Sequence, residues 1–132
     1  MKTHTMKLAL ATTMMFAIAT NANGKEVRVT GIFSDMHFVK EAGDVTGMEV
    51  FIVYTVDGYY AVVQFAEGTP VVPVVVPIKV NKASIQFTVP LPNGSNGQFV
   101  GTVTDDALIG RLENGGEGFK LRRRNSYWQQ AR

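Results

Sequence analysis

The chain has 132 residues and contains no cysteine, which excludes disulfide bonds, thiolate metal sites and a cysteine nucleophile. Its 13 basic and 11 acidic residues give a formal net charge of +2, so it lacks the large basic excess of a general nucleic-acid or anionic-membrane binder. A chain of this length forms one domain that can bury a core without crosslinks.

Residues 1–22 have the three-part pattern of a secretion signal. Lys2 and Lys7 precede an apolar run at residues 8–19, and small residues follow it. As a helix this run would rise about 18 Å, too little to cross a hydrocarbon core of about 30 Å, so we expect no transmembrane anchor. We expect cleavage after Ala22 or Gly24 and export to the periplasm or the extracellular space. Residues 23–132 would then form a single all-β domain.

Removal of the signal makes the remaining domain electrically balanced. The signal takes two of the 13 basic residues and none of the 11 acidic ones, so the formal net charge of the remainder is zero. We therefore expect no nucleic-acid partner.

The first predicted strands lie at residues 26–34 and 36–39, followed by a hairpin at residues 48–66. Apolar residues alternate there with a period of two. Asp57 and Gly58 suit the centre of a type I′ turn, which would place Ile52 opposite Val63. One face of this hairpin is wholly apolar or aromatic. The other is also largely apolar and carries Glu49, Phe51, Val53, Thr55, Tyr60, Val62 and Gln64.

Three further strand regions follow the first hairpin. Residues 71–80 contain Pro73 and Pro77, which cannot donate to a central ladder, so this segment is predicted at a sheet edge or bulge. Residues 84–90 alternate cleanly, and residues 98–113 form a second hairpin that turns at Asp105 and Asp106.

The second hairpin pairs two glycines, and one more strand follows it. The pairing of Gly101 with Gly110 marks either a bend in the sheet or a dent filled by an aromatic ring, and we expect the bend. Residues 118–124 form the last strand. Eight or nine short strands in a single antiparallel meander predict a calycin-like up-and-down barrel, with an open β-sandwich as the alternative.

Residues 29–129 resemble a group of small exported bacterial β-domain proteins of uncharacterised function. The resemblance rests on the segments GDVTGMEVFIV, GYYAVVQFAEGTP, FVGTV, LIGRL and LRRRNSYWQ. Residues 58–121 are also similar to the accessory β domain that precedes some exported α/β-hydrolases. The resemblance implies a β-barrel domain and assigns no activity, because its motifs are structural.

No residue pattern in the sequence predicts catalysis, a metal site or a cofactor. His37 is the only histidine after the predicted signal, and no G-x-S-x-G elbow frames a serine. Asp35 and His37 alone are too few ligands for zinc. The C-terminal Tyr127 and Trp128 are interpreted as a plug for one end of the barrel, with the neighbouring arginines on its rim.

Two sets of residues are candidates for binding. If the second face of the first hairpin points inward, Glu49 needs a partner, and Glu49, Gln64 and Arg123 would form an interior polar cluster; the alternative is an exposed sheet edge. We expect a non-catalytic binding domain that holds a small apolar or amphipathic ligand. The alternative is a protein-interaction module (an inhibitor, immunity or assembly partner), with a homodimer as one option. Its interface would consist of Phe51, Val53, Tyr60 and Val62.

Overall fold

The computed structural model describes residues 24–113 and 116–130. The predicted signal at residues 1–22 lies outside this range. The described chain contains ten strands and one short 3₁₀ turn at Tyr127–Gln129. The strands are β1 (Gly31–Ser34), β2 (His37–Val39), β3 (Asp44–Thr55), β4 (Gly58–Gly68), β5 (Val74–Pro77), β6 (Lys79–Asn81), β7 (Ser84–Pro90), β8 (Asn96–Val103), β9 (Ala107–Leu112) and β10 (Phe119–Arg123).

All strands belong to one antiparallel sheet that closes almost completely into a barrel, as the sequence predicts. The order across the sheet is β5-β4-β3-β1-β10-β9-β8-β7-β6, and β2 pairs with the first part of β3. The two ends of this order are β5 and β6, the strands of the proline-containing segment. This agrees with their predicted edge position, because Pro73 and Pro77 lack the N–H that a central strand needs.

Alternate residues of the strands fill the barrel interior. The largest fully buried side chains include Phe33, Ile52, Phe99, Leu108 and Leu121. In β7 the three residues Ile85, Phe87 and Val89 are all buried between exposed neighbours, as their alternation predicts. Along the chain, no described helix is long and apolar enough to serve as a membrane span.

The register of the first hairpin differs from its prediction by two residues. Ile52 pairs with Ala61 instead of Val63, because Val56 and Asp57 form the turn and Gly58 follows it with φ of 107°. A type I′ turn would need positive φ at both central residues, and neither Val56 nor Asp57 has it. A shift of two residues preserves which side chains share a face, so the predicted faces are correct.

The second hairpin has its predicted register, with Gly101 opposite Gly110 and Val103 opposite Leu108. At the glycine pair the alternative interpretation, a dent filled by aromatic rings, describes the packing. An added Cβ on Gly110 would lie 3.0 Å from Phe119 Cζ and 2.9 Å from Gly101 Cα. The ring centroids of Phe99 and Phe119 are 4.4 Å apart. Glycine is needed here because the two backbones and the rings occupy the space of a side chain.

Candidate binding face on the outer surface

The second face of the β3–β4 hairpin points away from the barrel interior. Val50, Ile52, Ala61 and Val63 occupy the inner side and are buried. The four predicted interface residues lie on the outer side, where Phe51 is 41% exposed and Val53, Tyr60 and Val62 are half-buried. The interior hypothesis for these positions is therefore wrong, and the outward hypothesis describes their actual placement.

Phe51 and Val62 belong to an apolar row that runs straight across four neighbouring strands. Ile32 pairs with Phe51, Phe51 with Val62, and Val62 with Val75. At about 4.8 Å per strand the row spans roughly 14 Å. Val75 lies on the edge strand β5 and is 66% exposed, so an apolar side chain faces solvent at this end of the row. We call this row, together with Val53 and Tyr60 beside it, the apolar face.

A shallow groove of about 440 Å³ lies beside the apolar row. Its walls include Phe51, Val62 and Pro73 from the sheet and Trp128 from the C-terminal turn. Trp128 is 49% exposed, so its indole remains accessible at the groove. Exposed aromatic side chains next to a recess are the groups that most often anchor protein contacts.

Glu49 and Gln64 hold the C-terminal turn against the sheet. The two residues pair directly across β3 and β4. The carboxylate of Glu49 accepts hydrogen bonds from Ser126 Oγ at 2.5 Å and from the Tyr127 backbone N–H at 2.8 Å. Gln64 Oε1 accepts from Trp128 Nε1 at 2.8 Å. These contacts explain how Glu49, only 9% exposed, remains satisfied without a cation.

The C-terminal turn is therefore not the plug that the sequence predicts. Tyr127 and Trp128 lie on the outer surface instead of an end of the barrel. The reason is that Glu49 and Gln64, on the outer face, offer acceptors to this segment. Ser126 also caps the turn, since its Oγ accepts from the Trp128 N–H and its own N–H donates to Gln129 Oε1.

Arg123 lies apart from Glu49 and Gln64, so the predicted interior cluster of three does not form. It shares the inner side of β10 with Leu121 and pairs with Phe33, whose ring lies 4.5 Å below the guanidinium. The guanidinium donates to the backbone carbonyls of Thr30 (2.7 Å), Arg28, Thr104 (3.2 Å) and Asp105 (2.9 Å).

These contacts make Arg123 the side chain that ties β10 to the segment before β1 and to the β8–β9 turn. Burial lowers the pKa of Arg123 and nearby Arg28 lowers it further, while Asp105 and Asp106 oppose the change. An arginine pKa lies far enough above neutrality that the side chain stays charged.

The remaining polar candidates show no arrangement for catalysis or metal binding. His37 is hydrogen-bonded to the Asp35 carbonyl (2.9 Å) and to Thr46 Oγ1 (3.3 Å). Ser34 is buried and accepts from the Met36 backbone N–H. Within residues 24–113 and 116–130, no three His, Asp or Glu side chains come together as a metal site.

Sequence reasoning missed Ile32, Val75, Ser126 and Trp128 as parts of this surface. Ile32 and Val75 could have been found by extending the outer face of the first hairpin to its neighbours, once strand order was known. Ser126 and Trp128 reach the face through contacts separated by 77 and 64 positions along the chain, and local patterns carry no signal for such contacts.

The fold and the site together define a small, nearly closed antiparallel barrel with a filled interior and an apolar outer face. No family model, curated protein or solved structure matches the chain.

Proposed function

We propose that this chain is an exported, non-catalytic interaction domain that binds a protein surface through its apolar face, and that its occupant is a second copy of the chain. The observation that carries the proposal is the row Ile32–Phe51–Val62–Val75, which points outward from four adjacent strands. Solvent-facing sides of antiparallel sheets are ordinarily polar, so an apolar row at this position indicates a contact surface.

The chemistry of the face suits pairing with itself. A twofold dimer brings the same patch together from both chains, so any charge at its centre would meet its own copy. The six side chains of the face are uncharged, and the nearby carboxylate of Glu49 is already bonded to Ser126 and Tyr127. Self-pairing therefore buries apolar area without opposing like charges at the centre of the interface.

The size of the face predicts a weak dimer. Stable interfaces bury about 800 Å² per partner. The row is only about 14 Å long across the sheet, so the area that the face can bury is small by comparison. The groove beside Trp128 adds a recess for a side chain of the second copy, such as Phe51. We therefore expect association that depends on concentration and exchanges rapidly.

Sedimentation equilibrium and light scattering of the processed chain test this proposal. We expect the mean mass to rise toward that of a dimer as the concentration approaches about 1 mM. At that concentration even a dimer with a Kd of about 1 mM, which corresponds to a binding free energy of about −4 kcal/mol, is detected. Phe51→Glu places a charge in the row and should hold the chain monomeric. Ile109→Glu is the matched control, because Ile109 is similarly exposed (46%) on the outside of β9. A wild-type chain that stays monomeric at about 1 mM, or equal dimerisation by Phe51→Glu, would overturn the proposal.

The export part of the proposal rests on the sequence of residues 1–22 and is tested separately. Mass determination of the chain recovered from its native compartment should give a protein that begins at residue 23 or 25. Recovery of the intact amino terminus would contradict export through a cleaved signal. The likeness to an accessory β domain of exported hydrolases agrees with a non-catalytic role and is itself part of the proposal.

The structure lends less support to a small apolar ligand inside the barrel. Large side chains such as Phe33, Phe87 and Phe99 occupy the interior, and Phe87 stacks on Phe99 with ring centroids 4.4 Å apart. Interiors packed in this way leave few voids larger than a water molecule. A ligand would have to displace these side chains, which is why the outer face is the preferred site.

A further inference from the structure

A second recess lies across β6 to β9, and the proposed dimer does not use it. Its volume is about 830 Å³, larger than that of the groove at Trp128. The strands that form it are separated from β3 and β4 by β1 and β10 in one direction around the sheet. The recess shares no residue with the apolar face.

Two parallel cross-strand rows on the outer surface line this recess. In the first row Arg111 pairs with Val100, Val100 with Gln86, and Gln86 with Lys79. In the second row Ile109 pairs with Thr102, Thr102 with Ser84, and Ser84 with Asn81. All eight side chains line the recess, while Gly101, Gly110 and Gly118 contribute backbone to its floor.

The charges of the recess are of one sign and lie at its two ends. Arg111 and Lys79 are three strand spacings apart, about 14 Å. Lys120 lies beside the second row, where it pairs with Ile109. Among the described residues that line the recess, none is acidic. An occupant with negative charge at both ends would match both cations, whereas a single small anion could meet only one of the two.

Between the charged ends the lining is suited to hydroxyl groups. Gln86 and Asn81 offer amide donors and acceptors, and Ser84 and Thr102 offer hydroxyls. Val100 and Ile109 provide apolar contact for C–H surfaces. None of the described lining side chains is aromatic, although single-stranded nucleic acids are usually held by stacking on aromatic rings.

We infer that the recess across β6 to β9, which we call the basic groove, is a binding site for an acidic oligosaccharide. Arg111 and Lys79 each pair with a carboxylate or sulfate of the chain, and the polar residues between them hydrogen-bond to its sugar hydroxyls. The two charged groups of the occupant lie about 14 Å apart, so a tri- or tetrasaccharide is the smallest complete ligand. This inference is independent of the proposed dimer, because it uses other residues.

Titration with tetragalacturonate tests the site, with binding measured by calorimetry and by backbone amide NMR. We expect the largest amide shifts on β6, β7, β8 and β9, and affinity that falls as ionic strength rises from about 0.01 M to about 0.15 M. Maltotetraose, a neutral chain of equal length, should bind far more weakly. Monomeric galacturonate should also bind weakly, because it reaches only one cation.

Charge-neutralising variants assign the binding to the groove. Arg111→Gln and Lys79→Gln should each weaken tetragalacturonate about fivefold, and the double variant about 25-fold, as expected for partly exposed ion pairs. Lys40→Gln is the matched control, since Lys40 is an exposed cation in the turn between β2 and β3. Unchanged affinity in the double variant, equal binding of maltotetraose, or tighter binding of a tetranucleotide would overturn the inference.

Discussion

Replacing Arg123 by methionine should destabilise the barrel by about 2–3 kcal/mol. Of its four hydrogen bonds to backbone carbonyls, those to Thr30 and Thr104 are partly buried, and those to Arg28 and Asp105 are exposed. A hydrogen bond from a charged donor contributes about 1.5–3 kcal/mol when shielded and little when exposed. The contact with the Phe33 ring adds about 0.5–1 kcal/mol. Methionine recovers part of the loss by packing on Phe33.

Urea denaturation measures this effect directly. With an m value of about 1–2 kcal/mol/M, the midpoint of Arg123→Met should fall by about 1–3 M. Arg123→Lys keeps the charge and loses the planar fork, so we expect about half of the destabilisation. The control is Arg124→Met, an exposed neighbour, which should change stability by no more than about 0.5 kcal/mol.

The destabilisation should be the same at acidic and neutral pH. Burial lowers the pKa of Arg123, so the folded chain would release this proton before the unfolded chain, and stability would rise with pH only near that pKa. Because the pKa of arginine lies far above neutrality, that region lies outside the range from acidic to neutral pH. An Arg123→Met midpoint within experimental error of the wild type, or full stability in Arg123→Lys, would refute the assignment of Arg123 as a structural tie.

Two further substitutions test other parts of the description. Gly110→Ala should lower the free energy of unfolding by about 1–3 kcal/mol in thermal melts, because its Cβ would clash with Gly101 and Phe119. The control is Gly116→Ala, whose Cβ would make only an ordinary contact of 3.7 Å with Leu112 and which should be near neutral. Glu49→Ala should release the C-terminal turn from the sheet while the barrel stays folded. The release should appear as faster amide hydrogen exchange at Tyr127 and as red-shifted Trp128 fluorescence. Unchanged exchange at Tyr127 would contradict the role of Glu49 as the anchor of the turn.

Local pattern was enough to predict most of the strands and their faces, although the strand predicted at residues 26–34 covers only Gly31–Ser34. In β7 every second residue is apolar, and an edge position followed from Pro73 and Pro77, because both features depend only on neighbours in sequence. The turn at Asp105 and Asp106 gave the correct register for the second hairpin. The predicted register of the first hairpin was wrong by two residues, because Gly58 was assigned to the wrong turn position. The prediction of which side chains share a face was still correct.

Contacts between distant segments were beyond the reach of these patterns. The partners of Arg123 are backbone carbonyls, which every residue carries, so no side-chain motif marks them. The basic groove likewise combines side chains from β6 to β9. These side chains can be recognised as common rows only when the registers of all four strands are known. Glu49 was recognised as needing a partner, and its actual partners come from the C-terminal turn.

The position of β10 between β1 and β9 has a consequence for how the chain matures. Strands β3, β4 and β5 join β1 on one side, and β6, β7 and β8 join β9 on the other. The ladder between these halves is completed by β10, which follows all of these strands in the chain. A nascent chain that has not reached Phe119 must carry two unpaired strand edges, and such edges invite pairing with other chains. Completion of the sheet thus awaits synthesis of β10, so docking of β10 against the distant β1 should be the slow folding step, as is usual for pairings between segments far apart in the chain.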